Sequence, residues 1–341
     1  MIIASGRVGD RFDNLHIDFV TIVTITNFCN SINPIINIKM NFIKYPKIRQ
    51  LGDEETKELL SNPDDRIVIE EKVDGANMRV LVYEGKLVFG SRNCTMDDEM
   101  ENSKAWKRAC EYIKTKFSEV NLSEYNNLLF IFENCIRHTM AYNWAKIPPV
   151  LGFDIYDLEK NKFVEYPKNK NILKDIGFAF VPVIDVIYAG DFPAFSDDNI
   201  PTSFYVSPSA KDTQAEGVVF KNYNTQIFAK YVREKFREDT KKTFGGNKKY
   251  ASNDTDRVCC MFCTNPRIDK IIFNLVVEGH ALDMKLMVHL PKEVYKDIME
   301  EHWKDIVFSR YEINFHALKK LVSERCCGVL KQVITNNLIN N

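Results

Sequence analysis

Apolar residues recur at alternate positions through much of the first 240 residues, which predicts β-strands. Ile67 and Ile69 share one face of the first such segment, and Val80 and Val82 share one face of the next. The predicted strands cover residues 66–71, 78–83, 128–132, 150–156, 178–186, 215–221 and 226–232. This part of the chain is therefore expected to be rich in strands.

Helical periodicity marks one segment of this region and the last 80 or so residues of the chain. Residues 97–117 predict a single amphipathic helix. Pro266 and Pro291 each stand in the first turn of a predicted C-terminal helix. The second of these helices places Trp303 and Val307 on its apolar face. A small all-helical domain is expected to follow the strand-rich part.

The length of 341 residues is enough to bury a substantial core and suggests two domains. Residues 40–244 would form the strand-rich domain, residues 245–257 a linker and residues 258–341 the helical domain. We expect residues 1–39 to be a dispensable extension, with an added strand as the alternative. Their apolar run at 19–28 is too short for a membrane span and lacks the flanking features of a signal peptide.

The net charge of -1 gives no global sign of a nucleic-acid partner. A local basic cluster follows the last predicted strand, and it either contacts phosphates or is a solvated linker. It comprises Lys235, Arg237, Lys241, Lys242, Lys248 and Lys249. We expect neither a membrane partner nor an obligate protein partner.

The nine cysteines do not form the pattern of a secreted disulfide framework in a chain of this length. They indicate reduced thiols in an intracellular, cytoplasmic protein, or in the host cytoplasm if the source is viral. Cys259, Cys260 and Cys263, with Cys326 and Cys327, are a candidate zinc site. Adjacent cysteines fit four-ligand geometry poorly, so we favour buried thiols.

Lys72 lies between the first two predicted strands and is followed by Asp74, Gly75 and Asn77. Glycine lets the backbone turn sharply and approach a ligand closely. The segment is consistent with an ordinary hairpin turn, and it is also typical of an amine placed for chemistry. Our central hypothesis is that Lys72 is a nucleophile that becomes covalently nucleotidylated.

Further polar residues occur at or beside apolar strands. Glu133 ends one strand, where a carboxylate is costly without partners. Phe153 is either a core residue or a base-stacking ring. Glu216 and Lys221 stand five residues apart, so they reach one ligand only if the ligand spans the strand or the strand curves. Lys230 lies between apolar neighbours, which is unusual for lysine.

Taken in order, these segments resemble the covalent nucleotidyltransferase superfamily of ATP-dependent DNA and RNA ligases and messenger-RNA capping guanylyltransferases. The details resemble nick-sealing ligases of the RNA ligase 2 type, in which asparagine follows the lysine by five residues, as Asn77 does, and arginine by twenty, as Arg92 does. That type also carries an all-helical C-terminal domain. The matching segments are residues 71–75, 132–134, 152–154, 216–221 and 229–232.

The resemblance implies an α+β fold, in which a nucleotidyltransferase (ATP-grasp-like ligase) domain of antiparallel sheets with flanking helices precedes the all-α domain. It also implies ATP-dependent sealing of 5′-phosphate and 3′-hydroxyl RNA ends, as in RNA repair of nicked duplexes or broken RNA. The intermediates would be a lysyl-AMP and an RNA-adenylate. The implied cofactors are ATP and Mg²⁺, with Mn²⁺ as a possible replacement.

The resemblance assigns roles to nine residues. The implied catalytic residues are Lys72, Asn77, Lys221 and Lys230. The implied ATP or AMP contacts are Glu71, Lys72, Asn77, Arg92, Glu133, Phe153, Lys221 and Lys230, and the implied metal ligand is Glu216. Phe228 departs from the family, which often has a second lysine there, so activation of Lys72 would depend more on Lys221, Lys230 and the metal.

Three alternatives remain open at this stage. The chain could be an ATP-dependent DNA ligase or a capping guanylyltransferase. It could also be a non-catalytic module that binds RNA ends.

Overall fold

The computed structural model describes residues 43–137, 139–237, 253–309 and 311–340. The predicted extension at 1–39 and most of the predicted linker lie outside these ranges, as do Lys241, Lys242, Lys248 and Lys249 of the basic cluster. The chain from Phe42 onward forms one compact unit.

Two five-stranded sheets form the first part of this unit. The first sheet has the order β1-β10-β9-β2-β8, in which β1 pairs with β10 in parallel and the other neighbours are antiparallel. Its strands are β1 Arg49–Gln50, β2 Arg66–Glu71, β8 Val183–Tyr188, β9 Gly217–Asn222 and β10 Ile227–Val232.

The second sheet has the order β4-β3-β5-β6-β7 and is antiparallel throughout. Its strands are β3 Ala76–Tyr83, β4 Lys86–Ser91, β5 Leu128–Asn134, β6 Val150–Asp157 and β7 Lys162–Phe163. Because β2 belongs to the first sheet and β3 to the second, the chain crosses between the sheets at residues 72–75. Lys72 therefore lies where the two sheets meet.

Seven α-helices complete the described part. They are α1 Asp98–Glu101, α2 Lys107–Phe117, α3 Lys168–Ile176, α4 Asp254–Phe262, α5 Asn265–Val277, α6 Leu290–Phe308 and α7 Phe315–Asn340. The predicted α+β class is confirmed, and the described residues after 252 form helices without strands. None of the helices in the described ranges combines the length and the apolar character needed to cross a membrane.

Two details of the helix prediction were wrong. The single helix expected at 97–117 is divided between Glu101 and Lys107, because Trp106 is fully buried and its indole N–H donates to the Val277 carbonyl over 2.8 Å. Trp303 and Val307 were expected to face inward, yet they are 49% and 58% exposed. The buried side of α6 is formed by other residues, such as Ile298.

Apolar faces of the helices cover the second sheet and create the first core. Ala109, Ile113 and Phe117 recur on one face of α2 and pack with Phe130 and Phe132 of β5. Full burial of each such large side chain contributes about 1.5–3 kcal/mol. A second core is formed by apolar residues of the four C-terminal helices, α4, α5, α6 and α7. The first core thus fixes the second sheet against α2, and the second core holds the C-terminal helices together.

Candidate active site

All nine residues to which the sequence assigned a site role line one cleft of about 360 Å³. This volume lies in the range of small-molecule sites. The cleft-lining residues among the predictions are Glu71, Lys72, Asn77, Arg92, Glu133, Phe153, Glu216, Lys221 and Lys230. The fold thus brings together side chains that are up to about 160 positions apart in the chain.

Strand pairing explains why these residues converge. Asn77 on β3 lies directly opposite Glu133 on β5, and side chains at paired positions share one face of a sheet. In the other sheet, Lys230 lies opposite Val219, and both line the cleft. The Lys72 amide donates to the Gly217 carbonyl over 3.0 Å, which fixes the nucleophile segment beside Glu216.

Lys72 forms an ion pair with Glu216. Its Nζ lies 2.6 Å from Glu216 Oε1, and the two side chains are 27% and 14% exposed. Burial by itself lowers the pKa of Lys72, but Glu216, then Asp74 and Glu133, raise it above its ordinary value. Because a lysine with a raised pKa is protonated at neutral pH, Lys72 must lose a proton before it can attack an electrophile.

The surroundings of Glu133, in contrast, favour the uncharged form of its side chain. Burial raises its pKa to about 8, since the attraction of Lys72 does not compensate for burial and for the repulsion of Asp74 and Glu216. A largely protonated Glu133 donates as well as accepts hydrogen bonds at neutral pH. Gly75 is needed beside it, because a Cβ at this position would lie 2.5 Å from the Asn134 carbonyl oxygen and 3.0 Å from Glu133 Cγ.

Asp74 and Glu71 support the loops around the cleft. Asp74 Oδ2 accepts hydrogen bonds from the amides of Thr139 and Met140 at 2.8 and 2.9 Å. The Glu71 carboxylate accepts from the Ser203 hydroxyl at 2.5 Å and from the Phe204 amide at 2.9 Å. Both Glu71 oxygens are thus bound to the protein. A direct Glu71 contact with adenine stays a prediction.

Lys221 lines the cleft at a buried position, where it belongs to an ionic network. Its Nζ is 2.6 Å from Glu70 and 2.9 Å from Asp154, while Lys170 is 2.6 Å from Glu70. The hydroxyl of Tyr45 also donates to Asp154, over 2.7 Å. Because these four charged groups are at most 4% exposed, each depends on its partners. The predicted contact of Lys221 with a phosphate is therefore untested, and its charge is already paired.

Sequence reasoning missed Glu70 and Lys170 in this network. Glu70 stands two residues before Lys72, so strand alternation was a usable signal that both face the cleft. Lys170 is on α3, where it also donates to the Phe153 carbonyl over 3.0 Å. An isolated lysine in a helix gave no comparable signal.

Phe153, Asn77 and Arg92 supply further polar and aromatic surface. The Phe153 ring packs edge-on against Tyr45, with centroids 5.3 Å apart, and it lies 5.3 Å from Lys221 Nζ. Asn77 Oδ1 is buried without a hydrogen-bond partner among the described residues. Such an atom is expected to bind a ligand or water. Arg92 is half-buried at the edge of the same cleft.

The Glu216 carboxylate is suited to binding a divalent cation. Its Oε1 binds Lys72, whereas its buried Oε2 has no hydrogen-bond partner in the described part of the chain. The described residues contain no cluster of three His, Cys, Asp or Glu side chains suited to a metal. Mg²⁺ in phosphate sites is typically bound by one or two carboxylates together with substrate phosphates and water. Glu216 thus remains a suitable single ligand.

The cysteine cluster lies apart from these residues. Cys259, Cys263 and Cys326 are buried within the second core, while Cys260 and Cys327 are half-buried. Burial and neighbouring thiols raise the pKa of Cys260. These are features of thiols packed as small apolar groups.

Comparison with known proteins relates the strand-rich part to a family. A family model described as RNA ligase matches residues 65–232, just under half of the chain. Residues 65–232 are thus similar to RNA ligases, and we call them the RNA ligase segment. None of the curated proteins compared matches the chain.

Similar solved structures are RNA ligases from Naegleria gruberi. A mutant with ATP and Mn has 18% identity and a TM-score of 0.45, and the match covers 57% of each chain. The ligase with PPi has 18% identity and a TM-score of 0.44, again over 57% of each chain. A mutant with AMP and Mn gives the same four values as the PPi structure. The match thus spans little more than half the length of these ligases.

The RNA ligase segment does not form the cleft alone. Helix α5, which lies outside it, contributes part of the wall, and sequence reasoning did not assign a site role to this helix. Asn93 Nδ2 donates to Glu278 Oε1 over 2.7 Å just beyond the end of α5. The α5 wall comprises Pro266, Asp269, Lys270, Phe273, Asn274 and Val277.

Proposed function

We propose that the chain is an ATP-dependent RNA ligase that acts in RNA repair. The observation that carries this proposal is the cleft around Lys72, whose nine predicted residues all lie within the RNA ligase segment. Lys72 supplies the nucleophile, and the polar groups around it suit a nucleotide. A Lys72–Glu216 pair that only stabilised the fold would not require the other predicted residues to line the same cleft.

The first step forms a covalent lysyl-AMP. Lys72 Nζ attacks the α-phosphorus of ATP, a P–N bond forms, and the P–O bond to the departing pyrophosphate breaks. Nζ gives up a proton in this step, and Glu216 Oε1 is the nearby acceptor at 2.6 Å. When bound at Glu216, Mg²⁺ or Mn²⁺ would neutralise charge on the phosphate oxygens.

The second and third steps transfer AMP and seal the strand. An oxygen of an RNA 5′-phosphate attacks the lysyl-AMP phosphorus, which releases Lys72 and gives RNA-adenylate. A 3′-hydroxyl then attacks the RNA 5′-phosphorus, a phosphodiester bond forms and AMP departs. Asn77 would act in these later steps, and its buried Oδ1 is available to a ligand donor.

The remaining residues are suited to binding. Phe153 would stack on the adenine, and Glu71 would lie close to the base. Arg92 and Glu133 would contact ribose and phosphate, since guanidinium forms paired hydrogen bonds with phosphate oxygens and Glu133 both donates and accepts. Lys230 would contact the α-phosphate, with Lys221 held just below it by Glu70 and Asp154.

Covalent labelling tests the proposal. Incubation with α-labelled ATP and Mg²⁺ should label the protein, and Lys72→Ala should abolish the label. Lys174→Ala, which changes an exposed lysine on α3, is the matched control and should label normally. Label retained in Lys72→Ala would contradict the assignment.

Two further arms separate the alternatives. Labelling by GTP but not by ATP would indicate a capping enzyme. Sealing of a nicked all-DNA duplex with the same efficiency as nicked RNA would indicate a DNA ligase. We expect ATP-dependent sealing that requires RNA at the nick.

A further inference from the structure

Three lysines from outside the RNA ligase segment line the cleft, namely Lys47, Lys235 and Lys270. Lys47 precedes β1, and Lys270 lies on α5. The parallel pairing of β1 with β10 brings the segment that carries Lys47 beside the strand that carries Lys230. Helix α5 brings Lys270 to the cleft from the C-terminal side. Lys47, Lys230 and Lys270 therefore bring positive charge to the cleft from three elements that are distant in sequence.

A carboxylate from α6 lies among these cations. Lys47 Nζ is 2.9 Å from Glu301 and 2.6 Å from Asp297, and Arg267 Nη1 is 2.8 Å from Glu301. Burial by itself raises the pKa of Glu301, but Arg267, Lys230, Lys47 and Lys270 together hold it well below its ordinary value. Each of these four cations thus acts on the same carboxyl group.

The four cations differ in their access to the cleft. The Arg267 side chain is fully buried and pairs with both Asp297 and Glu301. These ion pairs attach α5 to α6. Lys47 is 23% exposed and lines the cleft. Arg267 can therefore continue to hold the α6 carboxylates when Lys47 turns toward a ligand.

We propose that Lys47 and Lys270, together with Lys230, bind the phosphate groups of ATP beyond the one that reacts, and that the Glu301 carboxylate occupies this anion position when no nucleotide is bound. This inference rests on the proposed function. The exchange is chemically balanced, because phosphate oxygens accept the ammonium hydrogen bonds that carboxylate oxygens accepted before. No covalent bond changes.

The proposal predicts opposite effects of the lysines and the glutamate. Removing Lys47 or Lys270 removes a charge-assisted contact to the outer phosphates, which should weaken their binding about tenfold or more. Glu301→Gln removes the competing negative charge and keeps the side-chain size, so it should tighten the same binding. AMP has no outer phosphates, so its affinity should change less than about twofold.

Calorimetric titration of the full chain tests these effects. The probes are α,β-methylene-ATP, which cannot release pyrophosphate, and AMP, each with Mg²⁺. We expect Lys47→Ala and Lys270→Ala to weaken binding of the triphosphate analogue selectively and Glu301→Gln to tighten it. Lys296→Ala is the matched control, because Lys296 is 61% exposed and pairs within α6 with Glu300 at 4.0 Å. Thermal melting verifies that each variant is folded, and Lys47→Gln replaces Lys47→Ala if the latter unfolds.

Three results would overturn the proposal. Equal weakening of AMP and the analogue would mean that the lysines do not distinguish the outer phosphates. Unchanged analogue binding, together with weakened binding in a parallel titration of the same variants with nicked RNA, would assign the lysines to the RNA backbone instead. If the unsubstituted chain bound neither nucleotide, both this inference and the proposed ligase function would be contradicted. The first two results would contradict this inference alone.

Discussion

The ion pair between Lys72 and Glu216 should contribute measurably to the stability of the folded protein. Their charged atoms are 2.6 Å apart, and both side chains are mostly but not fully buried. Exposed ion pairs contribute about 0.2–1 kcal/mol, whereas breaking a buried pair costs about 3–5 kcal/mol. With 27% and 14% exposure, this pair lies between those limits. We therefore expect a coupling free energy of about 1–3 kcal/mol.

A double-mutant cycle measures that coupling. The variants are Lys72→Met, Glu216→Gln and the double substitution, and the free energy of unfolding of each comes from urea titration followed by tryptophan fluorescence. Glu71→Gln provides the control cycle with Lys72. Glu71 is adjacent in sequence, but its carboxylate accepts hydrogen bonds from the Ser203 hydroxyl and the Phe204 amide. The control coupling should be close to zero.

The pH dependence gives the cycle a second test. The pKa of Lys72 is raised in the folded state, so the pair stabilises the protein fully below the ordinary lysine pKa of about 10.4. This stabilisation should be lost as the pH rises through the folded-state pKa. Coupling below about 0.5 kcal/mol at pH 7.5, or coupling that persists unchanged at strongly alkaline pH, would refute the reasoning.

Three other substitutions should affect stability in defined ways. Glu133→Gln should raise the melting temperature at pH 9 but not at pH 5. The pKa of the Glu133 carboxyl rises from 4.5 to about 8 on folding, so its ionisation opposes folding increasingly across this range and fully above it. Equal effects of the substitution at both pH values would contradict this. Gly217→Ala should cost more than about 2 kcal/mol in urea titration, since its Cβ would lie 2.2 Å from the Tyr231 carbonyl oxygen; unchanged stability would show that β9 and β10 separate easily. Lys170→Met should cost about 3–5 kcal/mol by leaving Glu70 short of a partner, and adding Glu70→Leu should recover most of that loss; a double variant no better than the single one would argue against the ion pair.

Much of the site could be predicted because its residues lie on strands with regular alternation. Lys72, Glu133 and Glu216 each stand at or beside the end of a strand. The resemblance of their segments, taken in order, to covalent nucleotidyltransferases implied that one cleft unites them. In the structure these residues line one cleft, while their roles stay predictions. Periodicity was sufficient to predict the strands, because each strand is specified by its own neighbours, whereas the shared cleft was implied by the resemblance.

Other features depend on contacts between distant segments, and local patterns do not encode these. The helix expected at 97–117 is interrupted because Trp106 is drawn into the core and bonds with Val277, 171 positions away. Lys270 reaches the cleft because α5 packs there. Nothing in the sequence around either residue specifies its partner.

The most direct test of the central claim is to locate the nucleotide on the protein. After incubation with ATP and Mg²⁺, peptide mapping by mass spectrometry should find one AMP adduct on the peptide that contains Lys72. Treatment with acid should release it, since P–N bonds are acid-labile, and added pyrophosphate should reverse its formation. An adduct on another residue, or no adduct in a protein that seals RNA, would contradict Lys72 as the nucleophile.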